Sequence, residues 1–71
     1  MIRETIETPD SSNIRRVEYE GNNLFVEFKT GNIYRYENIP YRMFEAFRTE
    51  PSAGKYFGTN IRNKYSYTRI V

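Results

Sequence analysis

Seventy-one residues without cysteine, histidine or tryptophan leave room for one domain and exclude a disulfide scaffold, a thiolate metal site and catalysis by histidine or cysteine. Apolar residues are 38% of the chain and Tyr plus Phe 17%, so the core is expected to be largely aromatic. Net charge is +2, yet residues 1–50 carry seven basic and nine acidic side chains while residues 51–71 carry four basic and none acidic, a split that points to an anionic partner unless those cations simply face water.

In chain order, the N-terminus has no apolar signal region, and no apolar run approaches the ~20 residues that span a bilayer. A soluble, cytoplasmic protein without membrane association is therefore expected. Residues 1–11 are expected to form an arm ahead of a single domain over residues 12–71. The arm ends in the turn-favouring run Pro9-Asp10-Ser11-Ser12, and Ile2 and Ile6 would dock it as a helical turn or a strand unless it frays.

Ile14 to Tyr19 reads as the first strand of the domain. Val17 and Tyr19 share a face by period two and Ile14 is out of phase with them, which predicts a bulge or a late strand start. After the turn Glu20-Gly21-Asn22-Asn23, the run Leu24-Phe25-Val26-Glu27-Phe28 alternates cleanly, with Leu24, Val26 and Phe28 on one face. Gly31 then turns the chain into Ile33-Tyr34-Arg35-Tyr36, completing a three-stranded antiparallel meander. A three-residue loop Lys29-Thr30-Gly31 would set Val26 opposite Tyr34 and send Tyr34 and Tyr36 to the core, their hydroxyls at the rim. A two-residue loop would flip the parity and make both tyrosines an exposed platform. The first register removes more aromatic area from water, at ~1.5–3 kcal/mol per large side chain, and is the one expected.

From Pro40 the period becomes helical. Met43, Phe44 and Phe47 fall on one side and Arg42, Glu45 and Arg48 on the other, with Asn38 or Ile39 near the cap position, Asn38 the better by chemistry, and Glu50-Pro51 the stop. Ser52 would cap a second short helix, Ala53 to Phe57, ended by Gly58. Tyr65 to Val71 reads as a returning fourth strand. The class expected is α+β, a three-stranded meander followed by two short helices and that strand.

Chemistry concentrates after Pro51. Ser52, Gly54, Lys55 and Arg62 would form an anion site at a helix start, where free N–H groups and the helix dipole favour negative charge. The competing reading is a tight corner, with Ser52 a cap, Gly54 a close-packing residue and Tyr56 or Phe57 in the core. The glycine spacing is not that of a phosphate-binding P-loop. Arg62, Lys64 and Arg69 interleave with Tyr65 and Tyr67, as in grooves that track phosphates beside stacking rings, although an edge strand with solvated cations reads identically. The acidic residues show no metal-loop spacing, so neither a metal, a cofactor nor an enzymatic activity is expected.

From Ser12 to Arg69 the chain resembles the KTSC domain family, a module found at the C-terminus of some lysyl-tRNA synthetases and as free-standing small bacterial and phage proteins. The resemblance lies in Ser12-x-Ile14, Tyr19, Phe28-x-x-Gly31-x-x-Tyr34-x-Tyr36, Pro40, Ser52-x-Gly54-x-Tyr56-Phe57 and Ile61-Arg62. The chain departs from the family at Gly58, inserted where members often have Asn after the Tyr-Phe pair. The synthetase association implies RNA binding as a fold-level analogy. Three functions are thus expected in competition: a non-enzymatic module for RNA or single-stranded nucleic acid, a protein that binds or sequesters a nucleotide or phosphate ligand, and a homo-oligomeric interaction module.

Overall fold

The computed structural model describes residues 3–71. Its elements are β1 (Glu4–Glu7), β2 (Ile14–Glu20), β3 (Asn23–Phe28), β4 (Ile33–Tyr36), α1 (Tyr41–Thr49), α2 (Ala53–Asn60) and β5 (Tyr67–Arg69). The strands form one five-stranded antiparallel sheet in the order β1-β2-β3-β4-β5. The α+β class is the one expected, but the order of elements is not. A strand precedes the meander, so part of the segment read as an arm is the sheet's edge, paired with β2 from Glu4↔Tyr19 to Glu7↔Arg16. Glu-Thr-Ile-Glu has a single apolar side chain, too few to display a period of two; Ile6 is nevertheless buried in the core. Ile2, the other proposed anchor, lies outside the described residues.

The irregular start of β2 is a bulge. Ile14 pairs with Phe28 and Arg16 with Glu27, so Arg15 is the extra residue, and Ile14 and Val17 both reach the core despite their odd spacing. The β3–β4 loop takes the three-residue form: Gly31 has φ 102°, Phe28 and Asn32 close the turn by a backbone bond of 2.9 Å, and Val26 stands opposite Tyr34. Tyr36 is buried and Tyr34 half-buried, as that register requires.

Both helices cover the sheet face that carries Val17, Tyr19, Leu24, Val26 and Tyr36. α1 inserts Met43, Phe44 and Phe47, with Phe44 stacked on Tyr19 at 5.3 Å; α2 inserts Phe57 edge-on to Tyr36 at 5.4 Å. Pro40, not Asn38, is the N-cap of α1, and it supplies no side-chain cap bond. Asn38 instead takes a left-handed turn at φ 59°. The entry to α1 is held one residue earlier, at Ile39, whose N–H donates to the Asn22 carbonyl and whose carbonyl accepts the Tyr19 hydroxyl. A buried backbone pair satisfied on both sides replaces the missing cap. α2 does not stop at Gly58 but runs on to Asn60, because Phe57 and Ile61, one turn apart, are both buried and hold the helical path.

Candidate functional site

The meander places the start of β2 beside the β3–β4 turn, where the Lys29 N–H donates to the Asn13 carbonyl at 2.8 Å. α2 packs over the same end of the sheet, and between them lies a cleft of about 460 Å³. Its floor is aromatic: Phe28, Tyr34, Tyr36 and Phe57, with Phe57 edge-on to Phe28 at 5.7 Å. Its rim is polar. Ser12 and Asn13 come from the β1–β2 loop, Lys29, Thr30 and Asn32 from the β3–β4 turn, and Arg62 from the turn after α2; no acidic residue lines it.

The two rim amides are oriented by their partners. Asn13 Oδ1 accepts the Ser11 hydroxyl at 3.2 Å and Asn32 Oδ1 accepts the Arg69 guanidinium at 3.1 Å. Each carbonyl is thus engaged by the protein, while among the described residues no protein acceptor takes either NH₂ group. Lys29 Nζ gives one bond to the Pro9 carbonyl at 3.2 Å and keeps its remaining donors. The rim therefore offers hydrogen-bond donors and positive charge. Burial, followed by the neighbouring Tyr67, pushes the Tyr36 phenol up from its ordinary pKa, with Arg62 acting in the opposite direction, so the hydroxyl stays protonated beside that cation.

Two glycines on α2 shape the cleft differently. A Cβ on Gly54 would stand 2.8 Å from Asn13 Oδ1, so a hydrogen there lets the helix approach the β1–β2 loop. A Cβ on Gly58 would meet nothing within 4 Å, because that position faces the open cleft.

The anion site expected at the start of α2 is not assembled. Arg62 lines the aromatic cleft, but Lys55 lines a separate hollow of about 290 Å³ together with Ser52, Tyr56, Asn60 and the acidic Glu50. They are divided because Lys55 and Gly54 are successive residues of a helix, about 100° apart around its axis. Ser52 is the cap, its hydroxyl accepting the Lys55 N–H at 3.2 Å, and Gly54 is the close-packing residue. Tyr56 is half-buried, edge-on to Phe47 at 5.2 Å. Tyr65 packs on the core and donates its hydroxyl to Met43 sulfur, which withdraws it from the exposed stacking set. Tyr67, by contrast, is 55% exposed and stacked on Tyr34 with centroids 5.2 Å apart and planes 8° from parallel. Register puts Arg69 opposite Tyr34 at the cleft's margin, and Lys64 is exposed in the turn between α2 and β5.

Asn13, Lys29, Thr30 and Asn32 were not among the residues the sequence singles out. The signal for them is topological: in an antiparallel meander the residues before its first strand lie beside the second hairpin turn, so both loops meet at one end of the sheet.

Charge is partitioned across the molecule. Arg3 pairs with Glu18 and Glu20, Arg15 and Arg16 with Glu27, Arg16 also with Glu7, and Arg48 with Glu45. Among the described residues Lys29, Arg35, Arg42, Lys55, Arg62, Lys64 and Arg69 form no ion pair with an acidic side chain, and the buried Arg35 Nε has no hydrogen-bond partner. No described helix is long and apolar enough to cross a membrane.

The KTSC domain profile matches residues 10–65. A lysine–tRNA ligase of Trichormus variabilis is 33% identical over 64 residues, which cover 87% of this chain and 11% of the ligase. The lysine–tRNA ligase of Nostoc punctiforme is 30% identical over the same length, again 11% of that protein. The chain thus spans about a ninth of these ligases. An uncharacterized protein of Stutzerimonas stutzeri is 35% identical over 63 residues, covering 84% of this chain and 89% of that one. The crystal structure of a KTSC domain protein from Yersinia pestis matches with a TM-score of 0.84 at 26% identity, over 99% of this chain and all of that one.

Proposed function

Since this chain belongs to the KTSC domain family, we propose that it is a non-enzymatic module that binds single-stranded nucleic acid, RNA foremost, on the face around the cleft. The observation that carries this reading is the partition of charge. Arg3, Arg15 and Arg16 are neutralised in place by carboxylates of the strands, whereas Lys29, Arg62 and Lys64 pair with no acidic side chain and remain available to phosphate; Arg69, bonded to Asn32 Oδ1 and the Val71 oxygen, pairs with none either. Tyr67 adds an exposed ring backed by Tyr34, a surface on which a base stacks for ~1–3 kcal/mol. The name of the ligase relatives supports the RNA side of the reading, by analogy over one small segment of those proteins.

The test is anisotropy of a labelled single-stranded RNA across a salt series. Affinity should fall log-linearly with salt, with a slope of about −0.7 per phosphate contact on a single strand. Replacing Arg62 and Lys64 together by Ala should weaken binding and flatten the slope by about one unit or more. An unchanged slope and affinity would overturn the reading.

A further inference from the structure

We propose that the cleft between α2 and the β3–β4 turn seats one nucleotide unit, an aromatic base bearing a phosphate, and that Gly58 is the residue that keeps the seat open. This deepens the proposed function and rests on it for the strand, but its own grounds are different: they concern the shape and donor chemistry of the cleft rather than the charge of the face.

Three observations converge on that ligand. First, size and floor: about 460 Å³ lies within the ~300–1,000 Å³ common for small-ligand clefts, and the floor is built from flat aromatic rings, which favour a planar apolar body. Second, polarity: the rim amides of Asn13 and Asn32 have their carbonyls engaged by Ser11 and Arg69, so they present NH₂ groups, alongside the cations Lys29 and Arg62. A rim of donors without a carboxylate selects a ligand rich in acceptors and negative in charge. A nucleobase has ring nitrogens and carbonyl oxygens on its edge, and its phosphate completes the match at the exposed rim, where both cations stand. A neutral peptide or an acyl chain fits worse, because neither brings the phosphate charge that the rim cations Lys29 and Arg62 would match, and the acyl chain also brings no acceptors along its length. Third, the opening: Gly58 faces this space inside a helix although glycine is a poor helix residue, and a Cβ there would meet no protein atom within 4 Å. The fold does not need a glycine at that position for its own packing, and a side chain longer than a methyl group there would project into the cleft.

The same unit has two sources, a residue within a strand or a free nucleotide, and the experiment separates them. Gly58→Leu is compared with the unaltered chain and with Gly58→Ala, each checked for folding by thermal melting. Binding is read with single-stranded RNA, with nucleoside monophosphates and with inorganic phosphate. With either nucleotide source, Gly58→Leu should lose binding by about ten-fold or more, in line with the loss of one stacked base. Gly58→Ala should retain most of it, and inorganic phosphate alone should bind at least ten-fold more weakly than a monophosphate. A saturable response to RNA but not to monophosphates assigns the seat to a strand; a response to monophosphates alone assigns it to a free nucleotide and removes the strand reading. If RNA binds with the expected salt dependence and Gly58→Leu binds it equally well, the charged face stands and the seat is overturned. If no nucleotide in any form binds, both fall.

Discussion

The outer face of β1–β3 and the cleft beside α2 are made from the same kinds of residue and arrive at opposite states. On the outer face, Arg16 sits 2.8 Å from Glu27 and 3.1 Å from Glu7, and Arg3 bridges Glu18 and Glu20 while its guanidinium lies 4.1 Å over the Phe25 ring. Every cation there has a carboxylate partner on a neighbouring strand, as cross-strand geometry allows. In the cleft, the cations and amide donors face a space that no acidic side chain enters. A surface whose charges are already matched has little to gain from a polyanion; a surface whose donors are aligned and unmatched does. On the proposed function, net charge, only +2 for the whole chain, is the wrong scale on which to look for a partner, because the balance differs between the two surfaces.

The most drastic way to break the contrast is to remove the cleft's floor. Phe57 is 4% exposed and edge-on to both Phe28 and Tyr36, so Phe57→Ala should cost about 3–5 kcal/mol, enough to unfold much of a domain this small. Chemical denaturation reads it directly. A sharper cut compares the two glycines of α2. Gly58→Ala adds a methyl group in open space and should stabilise the helix by about 0.5–1 kcal/mol, a gain visible in Tm. Gly54→Ala must displace Asn13 from its bond to Ser11, and should come out at least about 1 kcal/mol less stable than Gly58→Ala. Equal stabilisation by the two would contradict the account of how α2 meets the β1–β2 loop.

Smaller effects are expected on the matched face. Arg3→Ala should cost about 1 kcal/mol or less, with high salt shrinking the difference, and should leave RNA binding unchanged. Smallest is the tether between β1 and α1, where the Tyr41 hydroxyl lies 2.9 Å from carboxylate oxygens of both Glu4 and Glu45. Those bonds, to Glu4 first and Glu45 second, push the Tyr41 phenol up to about 12. Because the folded value lies above the ordinary one near 10, the contribution of this bond is complete below pH ~10 and is lost as pH rises towards 12. Ultraviolet difference titration against Tyr41→Phe should show one tyrosine ionising later than an ordinary phenol.

The meander, the bulge at Arg15 and the register of Tyr34 and Tyr36 were legible in the sequence because each leaves a periodic trace: alternation, a break in alternation, and a glycine at a fixed distance from it. β1 stayed only one of several readings of the arm, beside a helical turn and a frayed end, because three of its four residues face solvent and only Ile6 reports a buried face. Gly58 misled because glycine is a common helix terminator, yet burial of Phe57 and Ile61 outweighs its poor propensity. The candidate site was half legible. Of the basic and aromatic residues of the acid-free tail, Arg62 lines the cleft and Tyr67 stacks on the cleft's Tyr34, but Lys55 falls on another side of α2, and Asn13, Lys29 and Asn32 carry no linear motif. Their meeting depends on two loops separated by a full hairpin, which spacing along the chain does not display.

The most direct test of the donor-lined cleft is a ¹⁵N-edited NMR titration with a short single-stranded RNA, following the side-chain NH₂ signals of Asn13 and Asn32 and the backbone N–H of Gly58. These three reporters should shift together and saturate at one ligand concentration, while the backbone signals of Arg3 and Arg16 on the matched face stay in place. Shifts confined to the matched face, or a saturable response that bypasses Asn13, Asn32 and Gly58, would contradict it.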